Sequence, residues 1–577
     1  NVVESLNPEV LKKMEPFISF GPTKEKSFNF REIFQYQKHE LLLRTQGIVQ
    51  EQAGYKPGKD GTIPFEGDML RHYTRYKFTS GRNISAGFTA EKDPGEAFFS
   101  GTNKYGYDFY SAYLSIQPNL VIQNVTIGDY VVRGGQGLIL WQGFSFGKST
   151  NALSVSKLNQ GIRPYTSADE NKFFRGATTT LKIKKAMISI FISNKDLDGN
   201  KAGVDSIGHW ITSLQSTGYH RTVNETEDKR SVNDFNAGAL VNWHMHNLRL
   251  GAVVLYRQFE FPLLPADQPY NKFNFRGTIN KTAGINYLFG KGKLQLSGEA
   301  AISASSGKAV VQGMELYLHD RIQVSTLFRH FNNNYHALWA SPFCENSSAA
   351  NETGFYIGTR ILPARHFTIT AYSDYYQSKW TKYTTTGPSQ GSDVFIQTTF
   401  TPTPQFQVYL RIKNEVKDKK HVLNERYVNH PEGTTKTRLH CQSQPYEWLI
   451  LRSRIEHIAY KGVEKEYGIL LLQDTQFTPE KLPVNMTFRL AWFKTDSYNS
   501  RIYAYENDLL NVFSIPAYYG EGLRTYLNLK YRINPKIEIW FKLANLTQNG
   551  VDTMGSGYNK IKGNQKTELK FQMRFKL

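Results

Sequence analysis

The 577-residue chain holds only two cysteines, Cys344 and Cys441. Two are too few for a disulfide scaffold, and they lack the paired spacing of a zinc site. No run of eighteen apolar residues occurs and the mean hydropathy is -0.48, which excludes a transmembrane helix. No repeat of about forty residues is visible, which argues against a propeller. Acidic residues are short of basic ones, 50 against 70, and the net charge of +20 suits nucleic acid, lipid phosphate or anionic solutes equally. The chain begins at Asn1 without Met and without an apolar leader, so the expectation is a removed signal peptide or a trimmed sequence.

What is present is aromatic and alternating. Phe, Tyr and Trp make up 14% of the chain. Gln405 to Lys413 places Phe406, Val408, Leu410 and Ile412 on one face and Gln405, Gln407, Arg411 and Lys413 on the other. The same period of two recurs at Leu294 to Glu299, Phe367 to Tyr372, Leu527 to Arg532 and from Leu248 to Val254. It is plainest at the end, where Leu569, Phe571, Met573, Phe575 and Leu577 alternate with Glu568, Lys570, Gln572, Arg574 and Lys576. Strands of about ten residues, apolar on one face and wet on the other, predict an all-β fold: one large transmembrane antiparallel β-barrel of about 24 strands, within a range of 22 to 26. Hydrocarbon offers backbone amides no partner, so such a sheet must close. Asn7 to Glu15 reads as a short helix, with Asn7 as N-cap and Pro8 at the first helical position. The expected organisation is an N-terminal periplasmic segment over 1–30 and an outer-membrane barrel over 31–577.

Several stretches resemble a family of large outer-membrane barrels of the Bacteroidota whose members carry an N-terminal helix-hairpin-helix region. They are Tyr73-Thr74-Arg75-Tyr76, Gly87 to Glu96, Tyr107 to Ser111, Gly128-Asp129-Tyr130, Gly135 to Leu138, Trp141 to Phe144, Phe146 to Ser149, Thr217 to Thr222, Asn351 to Gly354 and Tyr503 to Asp508. The resemblance spans nearly the whole barrel. It implies a Gram-negative outer-membrane location and makes Asn1 to Phe20 the tail of the helix-hairpin-helix region. It implies no catalytic residues. The terminal strand through Phe575 and Leu577 also resembles the signal read by the barrel-assembly machinery, which with outer-membrane lipid and lipopolysaccharide makes up the expected partners, alongside envelope proteins.

Chemistry-bearing clusters are few. Glu91, Asp93 and Glu96 surround a Pro94-Gly95 turn, with Asp108 and Asp129 as possible neighbours; calcium would want six to eight such oxygens. Regular calcium-loop spacing is absent, and a charged turn pairing with lumen arginines is the preferred reading. His244-Met245-His246 puts two imidazoles on one face if extended, but no third ligand follows in sequence. His220 beside Arg221 reads as an ordinary loop histidine. Gly143 to Ser149 lacks the spacing of a phosphate loop. The stretch 134–171, rich in Gly and Ser, interrupts the alternation and is expected to fold into the lumen as a constriction or plug, with Gly135, Gln136, Gly137, Trp141, Phe144, Phe146 and Lys148 as its candidate residues.

The expected function is therefore non-enzymatic and without cofactor or metal: a porin-like channel, or a membrane-embedded subunit of a larger envelope complex. Cations such as Lys182, Lys184, Lys185, Lys570, Arg574 and Lys576 predict anion preference in an open lumen. The alternative is a nucleic-acid or macromolecule uptake module, although nucleic acid is not an expected partner. A lipid hydrolase ranks lower, because no local signature marks a triad.

Overall fold

The computed structural model describes residues 36–81, 83–143, 145, 147–204, 208–423 and 425–577. The helix expected over Asn7 to Glu15, the segment 1–30, Phe144 and Phe146 lie outside the described residues.

Twenty-four antiparallel strands form a closed ring. The first, Gln37–Ile48, pairs with Leu70–Ser80 on one side and with the last, Gln565–Lys576, on the other, so Leu43 faces both Thr74 and Met573. Beyond the ring, Gly161–Pro164, Gly199–Val204 and Gly208–Leu214 add short strands to the same sheet from loops. Closure leaves the ring no free edge, which a sheet surrounded by lipid requires.

The alternation sorts the two faces. Val254, Ile285 and Ile302 point outward and are exposed, whereas Thr282, Asn286 and Glu299 on the same strands or their neighbours point inward and are buried. On the terminal strand Leu569 and Phe571 are exposed to the outside and Gln572 is buried inside. Leu577 lies one residue past that strand, yet its N–H donates to the His39 carbonyl at 2.9 Å and its own carbonyl accepts from His39 at 3.1 Å. Aromatic rings gather at this rim: Tyr446 stacks on Trp448 at 5.1 Å, and Trp243 is exposed. Amphipathic rings at that level match the aromatic girdles of membrane barrels. The chain is a multi-pass outer-membrane β-barrel.

The two ends of the barrel differ. At the end bearing Gln37 and Leu577 the strands are joined by short turns such as 184–185, 292–293, 404–405 and 535–536. At the other end the connections include 93–108, 134–173, 198–231, 332–351 and 496–520. Short turns mark the periplasmic rim and long loops the outer surface.

The interior is not uniformly wet. Val253, Leu255, Ala309, Val311, Leu327 and Phe331 face inward and are buried in an apolar core shared with Leu138, Ile139 and Leu140. Strands such as Leu248–Leu263 and Lys308–His319 are thus apolar on both faces over part of their length, one against lipid and one against an inward-folded loop.

Candidate functional site

Two groups of outer loops enter the lumen. The first starts where strand Ile122–Arg133 ends. Residues 134–141 fold back sharply: the Gly134 N–H donates to the Leu140 carbonyl at 2.9 Å, and the buried Gln142 side chain accepts from Val132 N–H at 2.9 Å. Gly135 and Gly137 have φ of +55° and +85°, and a Cβ at Gly135 would stand 2.6 Å from the Glu299 carboxylate. Both positions need glycine. Glu299, inward on strand Leu294–Ser303, accepts the N–H groups of Gln136 at 2.5 Å and Leu138 at 3.1 Å. Loop 332–351 descends beside it: Ser341 N–H donates to the Gly137 carbonyl, Trp141 N–H to the Trp339 carbonyl, both at 2.9 Å, and Tyr335 hydroxyl to the Leu138 carbonyl at 2.9 Å. Farther along, the Ala152 carbonyl accepts the hydroxyls of Ser325 and Tyr356, each at 2.8 Å.

Charge pins the same loops to the wall. Lys148 reaches Glu345 at 2.7 Å and both Asp374 and Asp393 at 3.1 Å. Within the wall, the fully buried Arg329 holds Glu352 at 2.5 Å and Asp374 at 2.7 and 3.0 Å, and Glu352 in turn accepts the N–H groups of Glu345 at 3.0 Å and Asn346 at 2.8 Å from loop 332–351. Of the residues the sequence offered for the lumen, Gly135 and Gln136 stand against Glu299 and Lys148 against Asp374 of the wall, while Gly137 and Trp141 bond to Ser341 and Trp339 of the neighbouring loop.

The second group is loop 496–520. Ile502, Ala504 and Tyr518 pack on the inward-facing Ile458, Leu470, Leu472 and Phe493. Glu506 accepts from Arg524 at 2.9 and 3.0 Å, from Lys542 at 3.3 Å and from the Tyr518 hydroxyl at 3.1 Å. Asp508 accepts from Lys542 at 3.1 Å and Lys570 at 2.6 Å. On neighbouring strands the inner face carries Arg411, Lys436, Arg438, Arg452 and Arg454, with Lys436 in register with Ile458 and the buried Glu456 held by Arg438 at 2.7 Å. Arg411 there donates to Gln397 and Arg452 to Gln442, each at 2.8 Å, while Arg454 and Lys436 have no acidic partner among the described residues. Loop 496–520 thus brings its acidic pair into a half-lumen rich in cations. Of the cations named from sequence, Lys570 and Arg574 face inward and pair with Asp508 and Glu538, whereas Lys184 and Lys185 form a turn at the periplasmic rim.

The metal candidates scatter. Glu91 and Asp93 both pair with Arg71, at 2.5 and 3.1 Å. His244 ends strand Val232–His244 and borders a polar cavity with Asn242 and Arg249, while His246 is in the following turn, so the two imidazoles do not share an extended face. Asp129 is taken by Arg175 at 2.7 Å. Only Glu96 joins a candidate ligand group among the described residues, together with Asp108 and His220; a second such group is Glu170, Asp198 and His220.

His220 is no ordinary loop residue. It is buried, with Nδ1 2.6 Å from Asp108 and Nε2 3.0 Å from Asp198, and Lys229 reaches Asp108 at 2.6 Å. Despite burial, these two carboxylates raise its pKa to about 10. Burial, then Asp108 and Asp93, raise that of Glu96 to about 8. With both ring nitrogens donating, the imidazolium leaves no lone pair for a metal and acts as the cation of a clasp joining loops 93–108 and 198–231. Sequence spacing hid this, since Asp108 and His220 are 112 positions apart. The signal lay in the stretches quoted for the family resemblance, which include Glu96, Asp108 and His220.

No family model and no curated protein matches the chain. Among solved structures, a ferric enterobactin receptor, PfeA, from Pseudomonas aeruginosa is 6% identical, with a TM-score of 0.47 over 94% of this chain and 80% of that one. The copper transporter OprC is 7% identical, with a TM-score of 0.44 over 94% and 83%. OccAB3 from Acinetobacter baumannii is 10% identical, with a TM-score of 0.29 over 94% and 99%. The chain is similar to these proteins only at that level, and what crosses its barrel has to be argued from its own lumen.

Proposed function

We propose that the protein is a non-enzymatic outer-membrane channel for anionic solutes, closed in this conformation by its own loops. The observation that carries the reading is the acidic loop in a half-lumen rich in cations: Glu506 and Asp508 occupy Arg524, Lys542 and Lys570 as an anionic solute would, while Arg411, Lys436, Arg452 and Arg454 line strands on the same side. In a low-dielectric lumen, cations without an acidic partner, such as Lys436 and Arg454, concentrate anions. Lys148 ties loop 134–173 to Asp374 and Asp393 of the wall, so opening on that side requires loop movement. The test is single-channel conductance in planar bilayers. The unaltered protein should be largely silent, and the double variant Glu506→Gln with Asp508→Asn should conduct with chloride favoured over potassium. Preference for potassium, or no gain in conductance, would overturn the reading.

The proposed membership of the Bacteroidota barrel family rests on the motifs quoted above, two of which, Gly135 to Leu138 and Tyr503 to Asp508, supply the lumen contacts of the loops. We also propose the barrel-assembly machinery as a partner through the terminal strand, and lipopolysaccharide as a partner of the outer rim.

A further inference from the structure

On the outer surface, away from the acidic loop, a cavity of about 550 Å³ opens between loops 264–276, 332–351 and 379–388 and the hairpin built by Phe406–Leu423 and Arg426–Tyr446. Its apolar lining is aromatic and held in place. Tyr270 meets Tyr383 edge-on at 5.5 Å and Phe273 meets Trp380 edge-on at 5.1 Å. The Trp380 indole N–H donates to the Pro269 carbonyl at 2.8 Å, and Asn351 both accepts from and donates to the Trp380 backbone, at 2.9 and 2.8 Å. Between the rings stand amides, namely Asn271, Asn274, Asn333, Asn346 and Gln390. Tyr376 also lines the cavity; it is 2% exposed, and its hydroxyl has no hydrogen-bond partner among the described residues. A buried hydroxyl in that state costs free energy that a ligand group would recover.

The charges are arranged unevenly. Glu345 is already engaged by Lys148 at 2.7 Å and Lys417 at 2.5 Å, and Asp418 accepts the Gln390 N–H at 2.9 Å. Lys382, by contrast, has no acidic partner among the described residues and lies 3.4 Å from the Asn346 side-chain oxygen. Lys272 stands 5.1 Å from the Trp380 ring centre and Lys420 5.8 Å from that of Tyr383. The cavity therefore offers rings, paired donor and acceptor groups and free positive charge together.

We propose that this cavity binds an acidic oligosaccharide. A pyranose presents an apolar C–H face to an aromatic ring and a rim of hydroxyls that both donate and accept, which is what the side-chain amides match. A purely apolar ligand would leave the buried Tyr376 hydroxyl unpaired. The lysines select a sugar carrying carboxylate, sulfate or phosphate groups.

Isothermal titration of the full chain in detergent tests this, with hyaluronan hexasaccharide and hexagalacturonate as acidic probes and maltohexaose as the neutral one. Saturable binding of at least one acidic probe is expected, stronger than that of maltohexaose and weakening with salt. Tyr383→Ala, at a ring 72% exposed, and Lys382→Gln should each weaken it by about tenfold while leaving the melting temperature unchanged. Tyr376→Phe should weaken it less. Absence of binding by all probes, or binding that both Tyr383→Ala and Lys382→Gln leave intact, would overturn the proposal. Equal affinity for maltohexaose would overturn the requirement for acid groups. None of these variants touches the acidic loop, so their outcome is separate from the conductance test.

Discussion

Replacing Glu299 by alanine should loosen the inward turn of loop 134–173 without disturbing the barrel wall. The carboxylate accepts the N–H groups of Gln136 and Leu138 in a place closed to water, where Leu138, Ile139 and Leu140 are fully buried. Each buried donor left unpaired costs about 1–3 kcal/mol, so two of them weaken docking of the turn by about 2–6 kcal/mol. At about 1.4 kcal/mol per tenfold, local opening rises at least about thirtyfold. Both N–H groups go to the same oxygen, Oε2, so a glutamine amide oxygen in that place keeps both bonds and the variant should lose only the part due to charge. Amide hydrogen exchange in nanodiscs reads this directly. Protection at residues 136–142 should fall in the order unaltered, Glu299→Gln, Glu299→Ala, while strand Ile537–Gln548 across the lumen stays unchanged. If exchange over 136–142 in the alanine variant matched the unaltered protein, the carboxylate would not be the anchor of the turn, and the account of how this loop is held in the lumen would be wrong.

Gly135→Ala should act on the same turn by a separate route, because φ of +55° strains an L-residue and the new Cβ would press on Glu299; faster exchange over 134–142 checks it. Arg329→Met should strand the buried carboxylates of Asp374 and Glu352, costing about 3–5 kcal/mol and lowering the temperature at which the barrel unfolds in heat-modifiability gels. Ile285→Lys, on the lipid face near the middle of its strand, should cost about 2–4 kcal/mol in folding equilibria measured in lipid. The loop clasp should weaken in alkali. His220 titrates near 6.5 when free and about 10 in the clasp, so folding binds its proton and the stability it contributes is complete below pH 6.5 and lost as pH rises through 10. Glu96, raised to about 8, adds loss in the same direction. Exchange over 93–108 and 217–231, corrected for the intrinsic rate, should therefore rise between pH 6.5 and 10. A flat profile would refute the charged imidazole.

The alternation from Gln405 to Lys413 and from Leu569 to Lys576 pointed to membrane strands because it recurs along the whole chain in segments of about ten residues, whereas one such segment alone would fit a soluble sheet as well. It also brought the strand count to about 24, within 22 to 26, since each strand needs one alternating segment and such barrels close with an even number. Local composition also marked 134–171 as foreign to the wall. What the interior holds was decided only by tertiary structure. Val253, Leu255 and Phe331 read as strand residues whichever way they point, and only the loop packed on them explains apolar side chains inside. Glu506 and Lys542 are 36 positions apart, Asp508 and Lys570 62 apart, and no spacing rule links them. The same holds for His220, whose two carboxylates come from different loops and change it from a neutral ring into a buried cation. Secondary structure is written in neighbouring residues, whereas pairing of charges across a lumen depends on where closure of the ring brings the loops together.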